Sequence, residues 1–141
     1  MYEITDIESK QVDAVKIVEK SSLVKSRAKQ KLMSEIKIHG SLTNDNIVKF
    51  KKHFEDKENV YILLELCPNS SLNEIVKRRK RFSEVEAKCY ISQLIKATQH
   101  MHAQKIIHRD LKLGNLFLGN QMKLKVGDFG LATKVAFDGE K

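Results

Sequence analysis

The chain has 141 residues, 41% of them apolar and only one a proline, with a formal net charge of +8. That is enough chain and apolar content for one domain with its own core, which argues against disorder; no apolar run approaches the ~20 residues of a membrane span, and the N-terminus lacks a signal peptide's basic-then-apolar layout. The positive charge suits an anionic partner, but it is scattered and comes with no nucleic-acid motif, so nucleic-acid binding is disfavoured.

In chain order, "MYEITDI" (1–7) and "QVDAVKIV" (11–18) alternate or run apolar in short lengths around the turn "ESK", and both predict strands. A helix is predicted from Ala28 to His39, with Leu32 and Ile36 four apart and Gly40 in the left-handed C-terminal cap position. Two more strands, "NIVKFKKHF" (46–54) and "NVYILLEL" (59–66), flank the polar turn "EDKE". Strand, strand, helix, strand, strand suits an antiparallel sheet carrying one helix.

After Pro68 the period turns helical. Ser71 with Glu74, and Ser83 with Glu86, have the spacing of capping boxes, so two helices start there. The second is predicted from Glu84 to His102, with Tyr90, Ile91, Leu94, Ile95 and Met101 as its buried stripe. The basic run "KRRKR" (77–81) is read as the solvated end of the first. "NLFL" (115–118) and "LKVG" (124–127) flank the turn "GNQM" as a hairpin. Cys67 and Cys89 form neither a disulfide framework nor a Cys-x-x-Cys pair, which suits thiols kept reduced in the cytosol or nucleus.

Between the long helix and the hairpin lies "IIHRDLKLGNLFL" (106–118), where His108, Arg109, Asp110, Lys112 and Asn115 crowd onto one loop; "DFG" follows at 128–130. Upstream, "AVK" puts Lys16 on a strand, and Glu35 lies mid-helix. A strand lysine alone is usually a solvated edge charge, and a helix Glu with Lys31 four residues before it is usually an exposed pair. Here strand lysine, helix glutamate, His-Arg-Asp loop with its Asn, and Asp-Phe-Gly come in one order on the expected elements. That set resembles the protein-kinase signature.

The resemblance implies an α+β protein-kinase-like fold. Residues 1–66 would be what is present of an antiparallel-sheet N-lobe, and 67–141 the hinge and the start of the C-lobe. It also implies ATP and Mg²⁺ as cofactors. Asp110 would accept the proton of the attacking hydroxyl, Lys112 would neutralise the transferring phosphate as in kinases acting on Ser or Thr, and Lys16, oriented by Glu35, would grip the α- and β-phosphates. Asn115 and Asp128 suit a hard cation that prefers oxygen ligands. His108 would be structural, packing under the loop. Arg109 would pair with a phosphorylated activation loop, and Phe129 would be a core plug whose position separates active from inactive states.

The likeness narrows at "HRDLKLGNLFL", at "GDFGLATKV" with "DGEK" after it, and at "LELCPNSSLNEIVKRRK", which resemble the polo-like serine/threonine kinases. This implies a hinge at Glu65 to Cys67 holding adenine through backbone groups, Ala14 as roof and Phe117 as floor. It also implies protein substrates with Ser or Thr near acidic residues, no membrane partner, and cell-division roles at centrosomes or spindles. The family's glycine-rich loop would precede Tyr2, and its activation-loop phosphosite, later helices and polo-box region would follow Lys141. The expectation is therefore a partial catalytic domain with weak or no activity by itself; the alternative is a non-catalytic short paralogue that binds nucleotide or a partner. The intact Lys16, Glu35, Asp110, Asn115 and Asp128 argue against a decayed product.

Overall fold

A computed structural model of the chain describes residues 2–135; Met1 of the first predicted strand and the segment "DGEK" at 138–141 lie outside the described residues. Two antiparallel strands come first, β1 (Tyr2–Thr5) and β2 (Val12–Glu19). β1 is shorter than predicted because the Asp6 carboxylate turns back to accept from the amides of Glu8 and Ser9, each at 2.9 Å, committing the chain to a turn. A short 3-10 turn at Lys20–Leu23 leads into α1 (Ser26–Gly40), and β3 (Phe50–Glu55) and β4 (Asn59–Leu64) follow. The four strands make one antiparallel sheet in the order β1-β2-β4-β3. β4 shows the period of a half-covered strand: Val60, Ile62 and Leu64 are buried and the residues between them are half-buried. Ile36 of α1 packs on that face with Ala14, Val48, Ile62 and Leu64.

Gly40 does not form the expected left-handed cap. It is the last residue of α1, and Ser41 behind it stays right-handed at φ −85°, its hydroxyl donating to the Ile38 carbonyl at 2.7 Å. That bond satisfies a helix-end acceptor, so no left-handed turn is needed.

The remaining elements are α2 (Leu72–Arg79), α3 (Glu84–Ala103), β5 (Ile106–Ile107), β6 (Leu116–Leu118), β7 (Leu124–Val126) and β8 (Thr133–Lys134). Ser83 opens α3 with a complete capping box, whereas Ser71 at α2 accepts from the Glu74 amide with no return bond from the Glu74 side chain. Arg79 forks onto Glu86 at 2.7 and 2.8 Å, fastening α2 to the start of α3; that guanidinium, helped by the Ser83 amide, holds the Glu86 carboxyl down to about 2. β6 and β7 pair as the predicted hairpin, and β5 pairs with β8.

Tyr90, Ala97 and Met101 of α3 close the larger core with Leu116, Leu118, Leu124, Val126 and Phe129. Leu94 packs at its edge, but Ile91 and Ile95, expected in the same stripe, are 56% and 52% exposed. The buried stripe runs through positions 90, 94, 97 and 101, and each of the two isoleucines is one residue, about 100°, away from it. Among the described residues no helix is long and apolar enough to cross a membrane.

Candidate active site

A cavity of about 460 Å³ opens between the sheet with α1 on one side and the β6–β7 hairpin on the other. Ala14 and Lys16 reach it from β2, opposite Leu64 and Ile62 of β4. Glu35, Ile36 and His39 reach it from α1. The Lys16 ammonium donates to both carboxylate oxygens of Glu35, at 3.1 and 3.2 Å. Glu35 is buried although charged, which is tolerable because its two oxygens share one cation.

Beyond Leu64 the strand leaves the sheet. The Glu65 amide donates to the Lys49 carbonyl, and the Glu65 carboxylate accepts from the Lys49 amide at 2.8 Å and from the Lys125 ammonium at 3.1 Å. With its side chain engaged there, Glu65 offers the cavity its backbone. Among the described residues neither the Glu65 carbonyl nor the Cys67 amide has a protein hydrogen-bond partner. Burial first, and the Glu65 charge second, push the Cys67 thiol up to about 11, so the thiol is uncharged at neutral pH. Phe117 supplies the opposite wall from β6 and lies hard against Gly127, where an added Cβ would fall 2.8 Å from its ring.

The loop after β5 is held from beneath. His108 is buried; its Nε2 bonds the Gly127 carbonyl at 2.9 Å while its Nδ1 accepts the Asp110 amide at 3.1 Å, a pairing that requires the neutral ring with its proton on Nε2. The Asp110 carboxylate accepts from Asn115 Nδ2 at 3.0 Å and faces the Lys112 ammonium at 3.6 Å. Asn115 Nδ2 also donates to the Asp110 carbonyl at 2.9 Å, which leaves the Asn115 side-chain carbonyl oxygen for another partner. Arg109 and Asp128 both take left-handed backbone, φ 68° and 55°, a conformation that costs a non-glycine residue and clusters at functional sites.

Asp128 lines the cavity beside Asn115, and one of its oxygens accepts the Gly130 amide at 3.2 Å. Two oxygen donors without nitrogen or sulfur ligands fit Mg²⁺, which keeps several waters and takes few protein ligands. Among the described residues there is no cluster of His, Cys, Asp and Glu suited to a closed metal site.

Ala14, Lys16, Glu35, Glu65, Cys67, Asn115, Phe117, Asp128 and Phe129 thus all line one cavity. Asp110 and Lys112 lie outside its lining and connect through Asn115. Arg109 points elsewhere, its Nε donating to the Leu131 carbonyl at 2.7 Å. Sequence reasoning missed His39, a buried ring whose Nε2 donates to the Val48 carbonyl at 2.6 Å. Burial is the main force lowering its pKa below 6.5. It is the second in a column of four rings, Phe50 to His39 at 5.6 Å, His39 to Phe129 at 4.5 Å and Phe129 to His108 at 5.0 Å, that ties the sheet to the loop after β5. Its position, one helical turn after Glu35 on the same face, was the available signal.

Over residues 1–140 the chain matches the family model described as protein kinase domain. It is 62% identical, over 99% of its length and 22% of the relative's, to the probable serine/threonine-protein kinase CCRP1 of Zea mays. It is 51% identical to the serine/threonine-protein kinase polo of Drosophila melanogaster over 99% of the chain and 24% of the relative, and 53% identical to the serine/threonine-protein kinase PLK1 of Xenopus laevis over 99% and 23%. The chain thus spans less than a quarter of the length of these relatives. By the family match along almost all of its residues, with polo-type serine/threonine kinases among its relatives, the chain belongs to the protein kinase family.

Proposed function

We propose that the protein carrying this chain is a polo-like serine/threonine kinase that transfers the γ-phosphoryl group of ATP, with Mg²⁺, to protein hydroxyls. The observation that carries this reading is the convergence of the Lys16–Glu35 pair, Asn115 and Asp128 on one cavity, with Asp110 joined to it through Asn115. Residues 1–66 belong to the N-lobe and 67–141 open the C-lobe. Adenine lies between Ala14 and Phe117, bonded to the free Glu65 carbonyl and Cys67 amide. Lys16 holds the α- and β-phosphates, with its ammonium aimed by Glu35.

Mg²⁺ held by Asn115 and Asp128 would offset the charge of the phosphates. Asp110 takes the proton of the Ser or Thr hydroxyl as its oxygen bonds phosphorus and the bond from phosphorus to the β-phosphate oxygen breaks. Lys112, 3.6 Å from Asp110, neutralises charge on the group in transit. Arg109 and Phe129 are the points where regulation acts. The +8 charge favours substrates with acidic residues around the target, and a relative named as a cell cycle serine/threonine-protein kinase favours a cell-division role, in the cytoplasm or nucleus.

The test is transfer of labelled γ-phosphate from ATP to serine peptides by the full-length protein. An acidic-flanked peptide is expected to be phosphorylated faster than a basic-flanked one, and Asp110→Asn to lower the rate by two or more orders of magnitude. Transfer that survives Asp110→Asn unchanged would remove Asp110 from its role.

A further inference from the structure

Asn46, Gln93 and Leu124 lie far apart in sequence yet share one small ring of hydrogen bonds. Gln93 Oε1, on α3, accepts the Leu124 amide at 2.8 Å and Asn46 Nδ2 at 3.1 Å, and the same Asn46 nitrogen donates to the Leu124 carbonyl at 2.9 Å. The ring closes only one way, with an acceptor at position 93 and a donor at position 46. The other end of the Gln93 amide is nearly idle: Nε2 makes only a 3.6 Å contact with Cys89 Sγ.

The consequence of that ring reaches the cavity. Residues 46–48, expected from sequence to begin a sheet strand, instead run beside β7. The Val126 amide donates to the Asn46 carbonyl and the Val48 amide to the Val126 carbonyl, each at 2.9 Å, with Ile47 and Val126 bridged in parallel. Two residues after Val126 the chain reaches Asp128, while His39 of α1 is tied to the Val48 carbonyl on the other flank. The 46–48 segment is therefore the joint between the helix that carries Glu35 and the strand that leads into Asp128. Those two carboxylates lie close together: a Cβ on Gly130 would stand 3.1 Å from a Glu35 oxygen and 3.2 Å from an Asp128 oxygen.

We propose that Gln93 is a positioning residue for the phosphate end of the cavity: by accepting from both Asn46 and Leu124, it fixes the register of residues 46–48 on β7 and hence the place of Asp128 relative to Glu35. This rests on the nucleotide reading of the cavity. The adenine end, formed by Ala14, Phe117 and the Glu65–Cys67 backbone, meets this joint one step further on, through Val48 and the two hydrogen bonds between Glu65 and Lys49, so it is expected to respond less than the phosphate end.

The test compares the parent chain with Gln93→Met, which keeps bulk and loses the acceptor, and Gln93→Glu, which keeps it. Three readings are taken: hydrogen exchange at the Val48 and Val126 amides without ligand, affinity for adenosine, and affinity for ATP with Mg²⁺. For Gln93→Met the exchange is expected to quicken and the Mg²⁺-ATP affinity to fall, each by about tenfold, with adenosine affinity falling by about threefold or less; Gln93→Glu is expected to match the parent in all three. Asn46→Asp, which sets oxygen against oxygen, is the second variant and is expected to reproduce the split if Gln93→Met does not fold. Equal loss of adenosine and Mg²⁺-ATP affinity would mark Gln93 as merely structural. Unchanged Mg²⁺-ATP affinity in a folded Gln93→Met, or a Gln93→Glu as impaired as Gln93→Met, would equally overturn the proposal. A parent that binds neither ligand would overturn the nucleotide reading and this inference with it.

Discussion

Gly127→Ala is the smallest change that bears on both the core and the cavity. The new methyl would sit 2.8 and 3.1 Å from two Phe117 ring carbons and 3.3 Å from a Val48 methyl. Carbon atoms rest about 3.5–4.0 Å apart, so the ring must retreat by roughly 0.7 Å or more. Both side chains line the cavity, but Val48 is buried whereas Phe117 is half-buried and has the closer contact, so the ring moves first. The cheap relaxation is therefore a shift of Phe117 into the space where a ligand would lie. Overpacking of this kind costs about 1–3 kcal/mol, and the reduced freedom of the unfolded chain on replacing Gly by Ala returns ~0.4–1 kcal/mol. A net loss of about 1–2 kcal/mol is expected in urea unfolding, along with a several-fold weaker affinity for adenosine. Adding Phe117→Leu should recover part of both, giving a coupling of about 1 kcal/mol in the double-mutant cycle. A Gly127→Ala chain as stable as its parent with adenosine affinity intact, or a Phe117→Leu change that adds its own loss independently, would refute the reasoning.

Leu118→Ala, at a fully buried position, is expected to lose ~2–5 kcal/mol in urea unfolding, whereas Ile91→Lys on the exposed side of α3 is expected to change stability by less than ~0.5 kcal/mol; the reverse order would mean that the α3 stripe is wrongly placed. The folded-state pKa of His39 is depressed below 6.5, chiefly by burial, so the unfolded chain binds more protons just below that value. Its contribution is thus full above 6.5 and is lost as pH falls through the window beneath it; stability measured at about pH 5.5 and about pH 7.5 should differ less in His39→Gln than in the parent, and an unchanged difference would contradict the burial argument. With its pKa near 11, Cys67 should react with iodoacetamide far more slowly than exposed Cys89 at neutral pH, a ranking that mass spectrometry of the labelled peptides would confirm or reverse.

The residues proposed to carry the chemistry were readable from sequence because each sits on a short motif whose spacing is local: the loop 108–115, the "DFG" triplet, and a lysine and a glutamate on elements with plain periodicity. What the sequence left open depends on which neighbour a surface meets. α3 offers two adjacent apolar stripes, and only the placement of the hairpin decides that Leu94 and Ala97 turn inward while Ile91 and Ile95 do not. Residues 46–48 have strand-like composition, but their partner is β7, which is remote in sequence. Gly40 looked like a cap because a glycine at a helix end is the commoner signal, and the bond from the Ser41 hydroxyl back to the Ile38 carbonyl leaves no mark in the sequence. His39 and Gln93 were passed over for the same reason: a polar residue on a helix reads as solvated until its distant acceptor or donor is known.

The most direct measurement is calorimetric binding of ATP to the chain, with and without Mg²⁺, for the parent, Lys16→Met and Asp128→Ala. Saturable binding that Mg²⁺ strengthens in the parent, that Lys16→Met weakens under both conditions, and that loses its Mg²⁺ enhancement in Asp128→Ala is the expected result. Binding indifferent to Mg²⁺ and to both substitutions, or no binding at all, would contradict the assignment of this cavity to a magnesium-nucleotide complex.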